Sequence, residues 1–217
     1  MVTRRFIGRL HYWLGWGLGL FALSWFASGF FMTLKPISEV RGEHIAAEPA
    51  YELLAADYQL PLVRDARNVQ LVDVLGTPAF IVTDGEGRRV IDASTGEPLL
   101  PPGEAAIRDK AQDTLLIEAD IARMVRLEEA PGDYSGPLPV WQVTLSEPGN
   151  ARLYIDATTG RLVRVRTRHW RAFDVAWRVH ILDTSGERIS SWWLSLASGL
   201  AALFALTGLA LLPKVRH

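Results

Sequence analysis

Two sets of residues in this sequence have types and spacings that could bind a cofactor, and the first contains a histidine and two glycines. His11 opens an apolar run, and Gly15 and Gly19 follow it at intervals of four residues. Because a helical residue advances by about 100°, the three lie on one helix face, with the imidazole at the end of a smooth groove. A b-type haem needs an imidazole ligand and little side-chain bulk beneath its ring, so this face would suit one.

The same three residues also have a purely structural interpretation. Gly15 and Gly19 form a GxxxG pattern, which lets two membrane helices approach closely. A histidine at such an interface can simply bond to lipid head groups, although ionisable residues at membrane depth are often functional. Haem ligation by His11 and close helix packing therefore both stay open.

The second set lies near the C-terminal end of the chain. His169 and His180 are eleven residues apart, so on a helix they share one face and lie about 16 Å apart along the axis. Trp177 lies beside His180, which makes His180 the sharper ligand candidate, and Arg171 and Arg178 are close enough to pair with haem propionates. The alternative is an interfacial helix whose His, Trp and Arg side chains face lipid head groups.

The remaining composition argues against several kinds of chemistry. The chain has no cysteine, which removes disulfides, thiolate metal sites, iron–sulfur clusters and covalent c-type haem attachment. A net charge of −1 gives no electrostatic reason to expect nucleic acid as a partner. No Ser-His-Asp spacing, HExxH motif or phosphate-binding glycine loop is present, so no catalytic residue is assigned and a hydrolase is not expected. His44 and His217 receive no role.

Two uncharged segments must position these candidates. The runs 12–34 and 192–212 contain 23 and 21 residues, and at about 1.5 Å of helix rise per residue each can cross a bilayer. Arginines precede the first run, and a lysine and an arginine follow the second, so the positive-inside rule places residues 1–11 and 213–217 in the cytoplasm. The chain is therefore predicted to be a two-pass membrane protein, N-in and C-in, in contact with membrane lipid.

The insert between the two crossings contains an internal repeat. The segments VIDASTGEPLL and YIDATTGRLVR place Asp92 and Asp156, and likewise Gly96 and Gly160, 64 residues apart. Aspartate and threonine side chains bond nearby backbone amides, and glycine accepts a positive φ, so the motif is typical of a turn rather than of catalytic acids. The insert is predicted to be an α+β domain of two units, each a helix followed by an antiparallel meander.

Local patterns assign elements to these units, which cover residues 36–100 and 101–168. Alternating and β-branched runs predict six strands, at 69–74, 79–83, 89–92, 140–145, 152–156 and 162–165. Strong helix formers predict helices over 50–58 and 103–126. Residues 169–189 are predicted to form an amphipathic helix on the outer membrane surface.

Three segments together resemble the PepSY-associated transmembrane proteins of bacteria. They are RRFIGRLHYWLGW at the start, WFASGFFMTLKPISEVRGEH at the end of the first crossing, and FDVAWRVHILD before the second. The paired turns resemble the strand-turn signature of PepSY modules. This resemblance implies two periplasmic PepSY-like units tied to the cytoplasmic membrane. Some larger relatives are haem-containing reductases that move electrons across the membrane to ferric siderophores, using histidines at their helix ends.

Two functions follow as hypotheses. In the first, the chain is a b-type haem homodimer that passes electrons across the membrane to a periplasmic acceptor such as a ferric chelate, which is an oxidoreductase of the ferric-reductase type. His11 would lie on the cytoplasmic side and His180 on the outer side, so each would face its copy in a symmetric dimer with a four-helix core. In the second, the chain is a cofactor-free periplasmic binding or accessory module for a partner protein, anchored by its helices or docked through them onto a partner membrane protein.

Overall fold

The computed structural model describes residues 2–48, 58, 65–85, 87–147, 149–181 and 192–212. Its contacts divide the chain into a helical unit of residues 1–36 and 172–217 and an α+β unit of residues 37–171. Three predictions fall largely or wholly outside the described residues: the helix at 50–58, the end of the amphipathic helix, and the C-terminal tail with His217.

The helical unit begins with a long apolar helix. Helix α1 (Val2–Thr33) contains no proline and ends shortly before Pro36, whose ring cannot continue a helix. Among the described residues, one helix is long and apolar enough to cross a membrane, over Arg4–Thr33. A shorter apolar stretch covers Ser195–Leu211 near the C-terminus. The sequence is therefore consistent with a membrane-anchored protein.

A second helix, named α5 in chain order (Trp192–Leu211), packs along α1 in the opposite direction. The Arg4 guanidinium donates to the Leu211 carbonyl at 3.2 Å, which joins the start of α1 to the end of α5. Gly15 faces the Phe204 ring, and a Cβ at Gly15 would lie 3.2 Å from Phe204 Cε2. Because Gly15 has no side chain, the Phe204 ring can pack between the two helices.

The α+β unit contains two antiparallel sheets. A three-stranded sheet has the order β1-β2-β3, with β1 at Asn68–Val74, β2 at Thr77–Thr83 and β3 at Arg88–Asp92. A four-stranded sheet has the order β4-β5-β6-β7, with β4 at Ile121–Leu127, β5 at Val140–Leu145, β6 at Arg152–Asp156 and β7 at Leu162–Arg166. Each strand pairs with its neighbour in sequence, so both sheets are meanders. The predicted α+β class and the six predicted strands are confirmed.

The described residues contain three further helices, α2 (Ile37–Arg41), α3 (Glu104–Asp113) and α4 (Arg168–His180). Helix α3 covers one face of the four-stranded sheet. Its buried residues Ile107 and Ala111 belong to one apolar core with Val143 and Leu153 of the sheet. Burial of each aliphatic side chain of leucine or isoleucine size stabilises the unit by about 1.5–3 kcal/mol.

The helix predicted over 103–126 is wrong in its second half. Helix α3 ends at Asp113, and Ile121–Leu127 forms β4, which pairs with β5. Thr114 closes the helix, since its side chain is buried and its hydroxyl donates to the Ala111 carbonyl at 2.8 Å. Helix propensity is a weak preference, and here the pairing of β4 with β5 outweighs it.

The two repeated turns share a local geometry but differ in their further contacts. In each, the aspartate Oδ1 accepts the backbone N–H groups two and three residues later, at 2.7–3.1 Å. At Asp92 these bonds, from Thr95 first, lower the pKa of the carboxyl. Asp156 is only 3% exposed, and its Oδ2 also accepts from the Arg88 guanidinium at 2.8 Å. Because Arg88 begins β3, this ion pair joins the two sheets.

A close backbone approach reinforces that junction. Gly160, in the second repeated turn, has a φ of 72°, and a Cβ there would lie 2.6 Å from Leu75 Cδ2. Leu75 lies in the turn between β1 and β2. Glycine is therefore required at position 160 for two reasons, its positive φ and the proximity of the first sheet.

We predict that Asp156→Ala lowers the free energy of unfolding by about 3 kcal/mol, because it removes two turn hydrogen bonds and leaves the Arg88 guanidinium without its buried partner. Asp92→Ala is the matched control, since it removes the same two turn bonds at a partly exposed site. Thermal unfolding of the detergent-solubilised protein, followed by circular dichroism, compares the two. Equal losses in both variants would contradict a stabilising role for the ion pair.

Candidate functional site

The His11 ring lies between α1 and α5. Its Nδ1 is 2.9 Å from the Thr207 hydroxyl oxygen. The ring stacks on Phe204, with centroids 4.2 Å apart and planes at 4° to each other. Gly208 leaves room for the ring, since a Cβ there would lie 3.1 Å from His11 Cε1. His11 therefore contacts both helices and stabilises their packing.

The hydrogen bonds determine which nitrogen of His11 carries the proton. The Thr207 hydroxyl has a single hydrogen, which it donates to the Phe204 carbonyl at 2.8 Å. With the hydroxyl hydrogen on that carbonyl, the hydroxyl oxygen accepts from His11, and this arrangement corresponds to a neutral imidazole with its hydrogen on Nδ1. The lone pair consequently lies on Nε2, the nitrogen that a metal ion would bind.

His180, at the end of α4, has the same arrangement towards the other end of α1. Its Nδ1 is 3.1 Å from the Trp25 carbonyl oxygen and 3.2 Å from the Ser28 hydroxyl, which itself donates to that carbonyl. Because a carbonyl can only accept, Nδ1 is the donor and Nε2 again holds the lone pair. The ring stacks on Trp25 with centroids 4.8 Å apart, and Gly29 leaves room beside it. Within the described part of the chain, no residue bonds to Nε2 of either histidine.

The two imidazoles are separated along α1. His180 contacts α1 at residues 25–29, which follow His11 by 14–18 residues. At about 1.5 Å of rise per residue this separation is about 21–27 Å. A single iron cannot be bound by both histidines of one protomer.

An apolar groove adjoins His11. It has a volume of about 480 Å³ and is lined by His11, Gly15, Gly19, Leu23 and Phe204, among others. Gly19 faces open space, and Gly15 faces the Phe204 ring. The structure thus brings together the three residues that were predicted to share a face. It adds Phe204 and Thr207 of α5, which no spacing within α1 could have identified.

The other candidates are placed differently. His169 and His44 are exposed on the α+β unit. The Arg171 guanidinium donates to backbone carbonyls of the loop between β5 and β6, at 3.3 and 3.4 Å. Arg178 forms an ion pair with Asp174 at 2.9 Å. Both predicted propionate partners are therefore engaged by protein groups. Among the described residues, no group of three or more His, Cys, Asp or Glu side chains is placed to hold a metal ion.

The α+β unit also contains a groove that the sequence analysis did not predict. We call it the edge groove. One wall is the edge strand β7, Leu162–Arg166, and the other is the segment 41–48. Its volume is about 610 Å³. The lining carries three arginines, two glutamates and a tryptophan: Arg41, Arg164, Arg166, Glu43, Glu48 and Trp170.

Arg166 is held rigidly at the edge groove. Its Nε donates to the Asp133 backbone carbonyl at 2.7 Å, and its guanidinium lies 3.9 Å from the centroid of the Trp170 ring. The Asp133 carboxylate in turn accepts from the Tyr154 hydroxyl at 2.6 Å and from Arg152 at 3.0 Å. Burial first, and then the bond to Asp133, raise the pKa of Tyr154 to about 12, so its hydroxyl remains a donor at neutral pH.

Glu48 closes one end of the edge groove. Its Oε2 accepts the backbone N–H of Leu162 at 2.7 Å, and its Oε1 lies 3.3 Å from the buried Lys110 ammonium. At the other end, Gly42 packs so closely that a Cβ would lie 2.6 Å from Val165 Cγ1. The groove is therefore bounded along β7 by these two contacts.

Comparison with known proteins identifies the four-stranded part of the α+β unit. Residues 104–166, from the start of α3 to the end of β7, match the PepSY family, described as the peptidase propeptide and YPEB domain. The match begins at the helix of the second repeat unit and ends at its last strand. It confirms the PepSY resemblance for that unit. Neither a curated protein nor a solved structure matched the chain.

We predict that Gly208→Leu lowers the stability of the helical unit by about 2 kcal/mol, because the added side chain must displace the His11 ring from its place against Phe204. Gly199→Leu is the matched control on the same helix, since no atom lies within 4 Å of its Cβ position. Thermal unfolding in detergent measures both. Unchanged stability in Gly208→Leu would contradict the packing of His11 between α1 and α5.

Proposed function

Since residues 104–166 form a PepSY domain, we propose that the chain is a two-pass protein of the bacterial cytoplasmic membrane that binds b-type haem at His11 and His180 between two copies of itself. In this proposal the haem groups carry electrons across the membrane to a periplasmic acceptor such as a ferric chelate. The PepSY domain faces the periplasm, and both chain ends lie in the cytoplasm.

The antiparallel helix pair supports the two-pass arrangement. The apolar part of α5, Ser195–Leu211, has 17 residues, and at about 1.5 Å per residue it extends over about 26 Å, near the hydrocarbon thickness of a bilayer. The bond from Arg4 to the Leu211 carbonyl brings the basic start of α1 beside the last turn of α5, and the sequence that follows α5 contains Lys214 and Arg216. The positive-inside rule favours the cytoplasm for that end.

The observation that carries the haem proposal is the shared tautomer of the two histidines. Each places its Nδ1 within hydrogen-bonding distance of a group of the helix pair, the Thr207 hydroxyl for His11 and the Trp25 carbonyl for His180, with Nδ1 as the donor in this proposal. Metal-ligating histidines are typically oriented in this way, with one ring nitrogen bonded to the protein and the other directed at the metal. The groove beside His11 is apolar, as a porphyrin ring requires.

These residues would each have a defined task. A bound haem would supply an iron that alternates between the ferric and ferrous states and so carries one electron. The Thr207 hydroxyl and the Trp25 carbonyl would fix the orientation of the two rings. Phe204 and the apolar groove walls would exclude water from the ring face.

The separation of the histidines determines the assembly in this proposal. One protomer offers a single imidazole at each end of α1, about 21–27 Å apart. Two axial imidazoles per iron therefore need a second chain, and a two-fold symmetric pair would place each histidine opposite its copy. Such a homodimer has four membrane helices and two haem positions, one towards each surface.

One observation favours the second hypothesis, a cofactor-free accessory module. Both imidazoles already stack on aromatic rings and bond to neighbouring helices, so they can stabilise the helical unit without a cofactor. In that case the helices anchor the PepSY domain, and function resides in binding a partner protein outside the membrane.

Visible absorption separates the two hypotheses. We expect protein purified in mild detergent from cells supplied with ample haem to show a Soret band that sharpens on reduction with dithionite, with resolved α and β bands. His180→Ala and His11→Ala should each contain about half as much haem as the wild type, because each removes the ligand of one haem position. The control His44→Ala, at an exposed site, should contain as much haem as the wild type. A colourless wild-type protein would rule out the haem proposal and favour the accessory module.

A further inference from the structure

We propose that the edge groove binds an acidic, extended peptide segment, which pairs with β7 as a fifth strand of the PepSY sheet. This inference concerns the α+β unit and does not depend on haem. It names a binding surface and the chemistry of its occupant, a peptide backbone flanked by carboxylate side chains.

The outer edge of β7 already bonds to a side chain in place of a neighbouring strand. In the sheet order β4-β5-β6-β7, β7 pairs with β6 on one side, and within the described residues no strand pairs with the other. The Leu162 N–H is bonded by the Glu48 carboxylate. Strand edges offer such groups to added strands, and peptide recognition by strand addition uses them.

The Glu48 carboxylate occupies the position that a backbone carbonyl of a bound peptide would take. Its carboxylate oxygen accepts from a strand N–H, as the carbonyl of an added strand would. The other oxygen is paired with Lys110. Glu48 can therefore yield the Leu162 N–H to a peptide while its charge remains compensated by the buried ammonium.

The charge of the groove selects an acidic occupant. With Glu48 compensated by Lys110, three guanidinium groups face the single remaining carboxylate, that of Glu43. Arg41 and Arg164 are exposed and able to adjust to a ligand, whereas Arg166 is fixed by Asp133 and Trp170. Arginine binds carboxylates through paired hydrogen bonds, so glutamate or aspartate side chains of the segment would be recognised.

The groove also sets the length of the segment. It runs along Leu162–Arg166, between the contacts of Glu48 at one end and Gly42 at the other. At about 3.3 Å per residue, a strand of five residues covers about 17 Å. The site therefore suits four or five residues of a partner, and the rest of a longer peptide would project past the Leu162 end, where Glu48 yields its contact.

The first experiment measures binding of a fluorescein-labelled octapeptide of alternating valine and glutamate to the full-length protein in detergent, by fluorescence anisotropy. We expect saturable binding that is at least about tenfold tighter than that of the matched valine–lysine peptide. Arg164→Ala should weaken binding about tenfold. The control Arg161→Ala removes an exposed arginine just before β7 that does not line the groove, and it should bind like the wild type.

The second experiment tests strand pairing itself. In an added strand every second N–H group faces β7, and the others face away from it. N-methylation of the groups that face β7 should abolish binding, whereas N-methylation of the groups that face away should not. Equal binding of both methylated peptides, or displacement of the peptide by inorganic phosphate at equal concentration, would overturn the proposal in favour of a simple anion site. No binding of any peptide would also overturn it. His180→Ala should bind the peptide normally, so the outcome is independent of the haem proposal.

Discussion

The α+β unit depends on one buried carboxylate. Asp156 accepts two backbone N–H groups of its own turn and the guanidinium of Arg88, so a single side chain both shapes the second repeated turn and fastens it to the first sheet. A buried charge is tolerated only when it is paired and hydrogen-bonded, and here all three partners are supplied. The close packing of Gly160 against Leu75 follows from that junction. The last strands of the PepSY domain are thereby held in a fixed position beside the segment that forms the edge groove.

Much of this architecture could be predicted from local signals. The strands follow from alternation and β-branching, and the repeated aspartate and glycine identify both turns. The error at residues 114–126 has a physical cause, since these residues are good helix formers but pair with a distant strand, and propensity contains no information on that pairing. The edge groove was not predictable for a similar reason, because its walls, residues 41–48 and β7, are more than a hundred residues apart.

The candidate histidine sites were predictable in part. The spacing of His11, Gly15 and Gly19 located one helix face, and the structure brings them together with a groove beside them. Thr207 and Ser28, whose hydroxyls lie beside the Nδ1 atoms of His11 and His180, carry no recognisable motif, since a hydroxyl that contacts a histidine can lie anywhere in the sequence. The predicted pairing of Arg171 and Arg178 with propionates overlooked nearer protein acceptors, the carbonyls of the loop between β5 and β6 and the Asp174 carboxylate.

The two repeat units use their equivalent arginines differently. Arg88 and Arg152 occupy equivalent positions, 64 residues apart, as Asp92 and Asp156 do. The arginine of the first repeat reaches the aspartate of the second, and an equivalent link from Arg152 to Asp92 of another molecule would be head-to-tail, the kind of contact that grows into open filaments. Asp133 binds Arg152 at 3.0 Å within the chain and so withholds it from such a link. The loop that carries Asp133 thus keeps Arg152 paired within its own repeat unit, whereas Arg88 is paired across the two sheets.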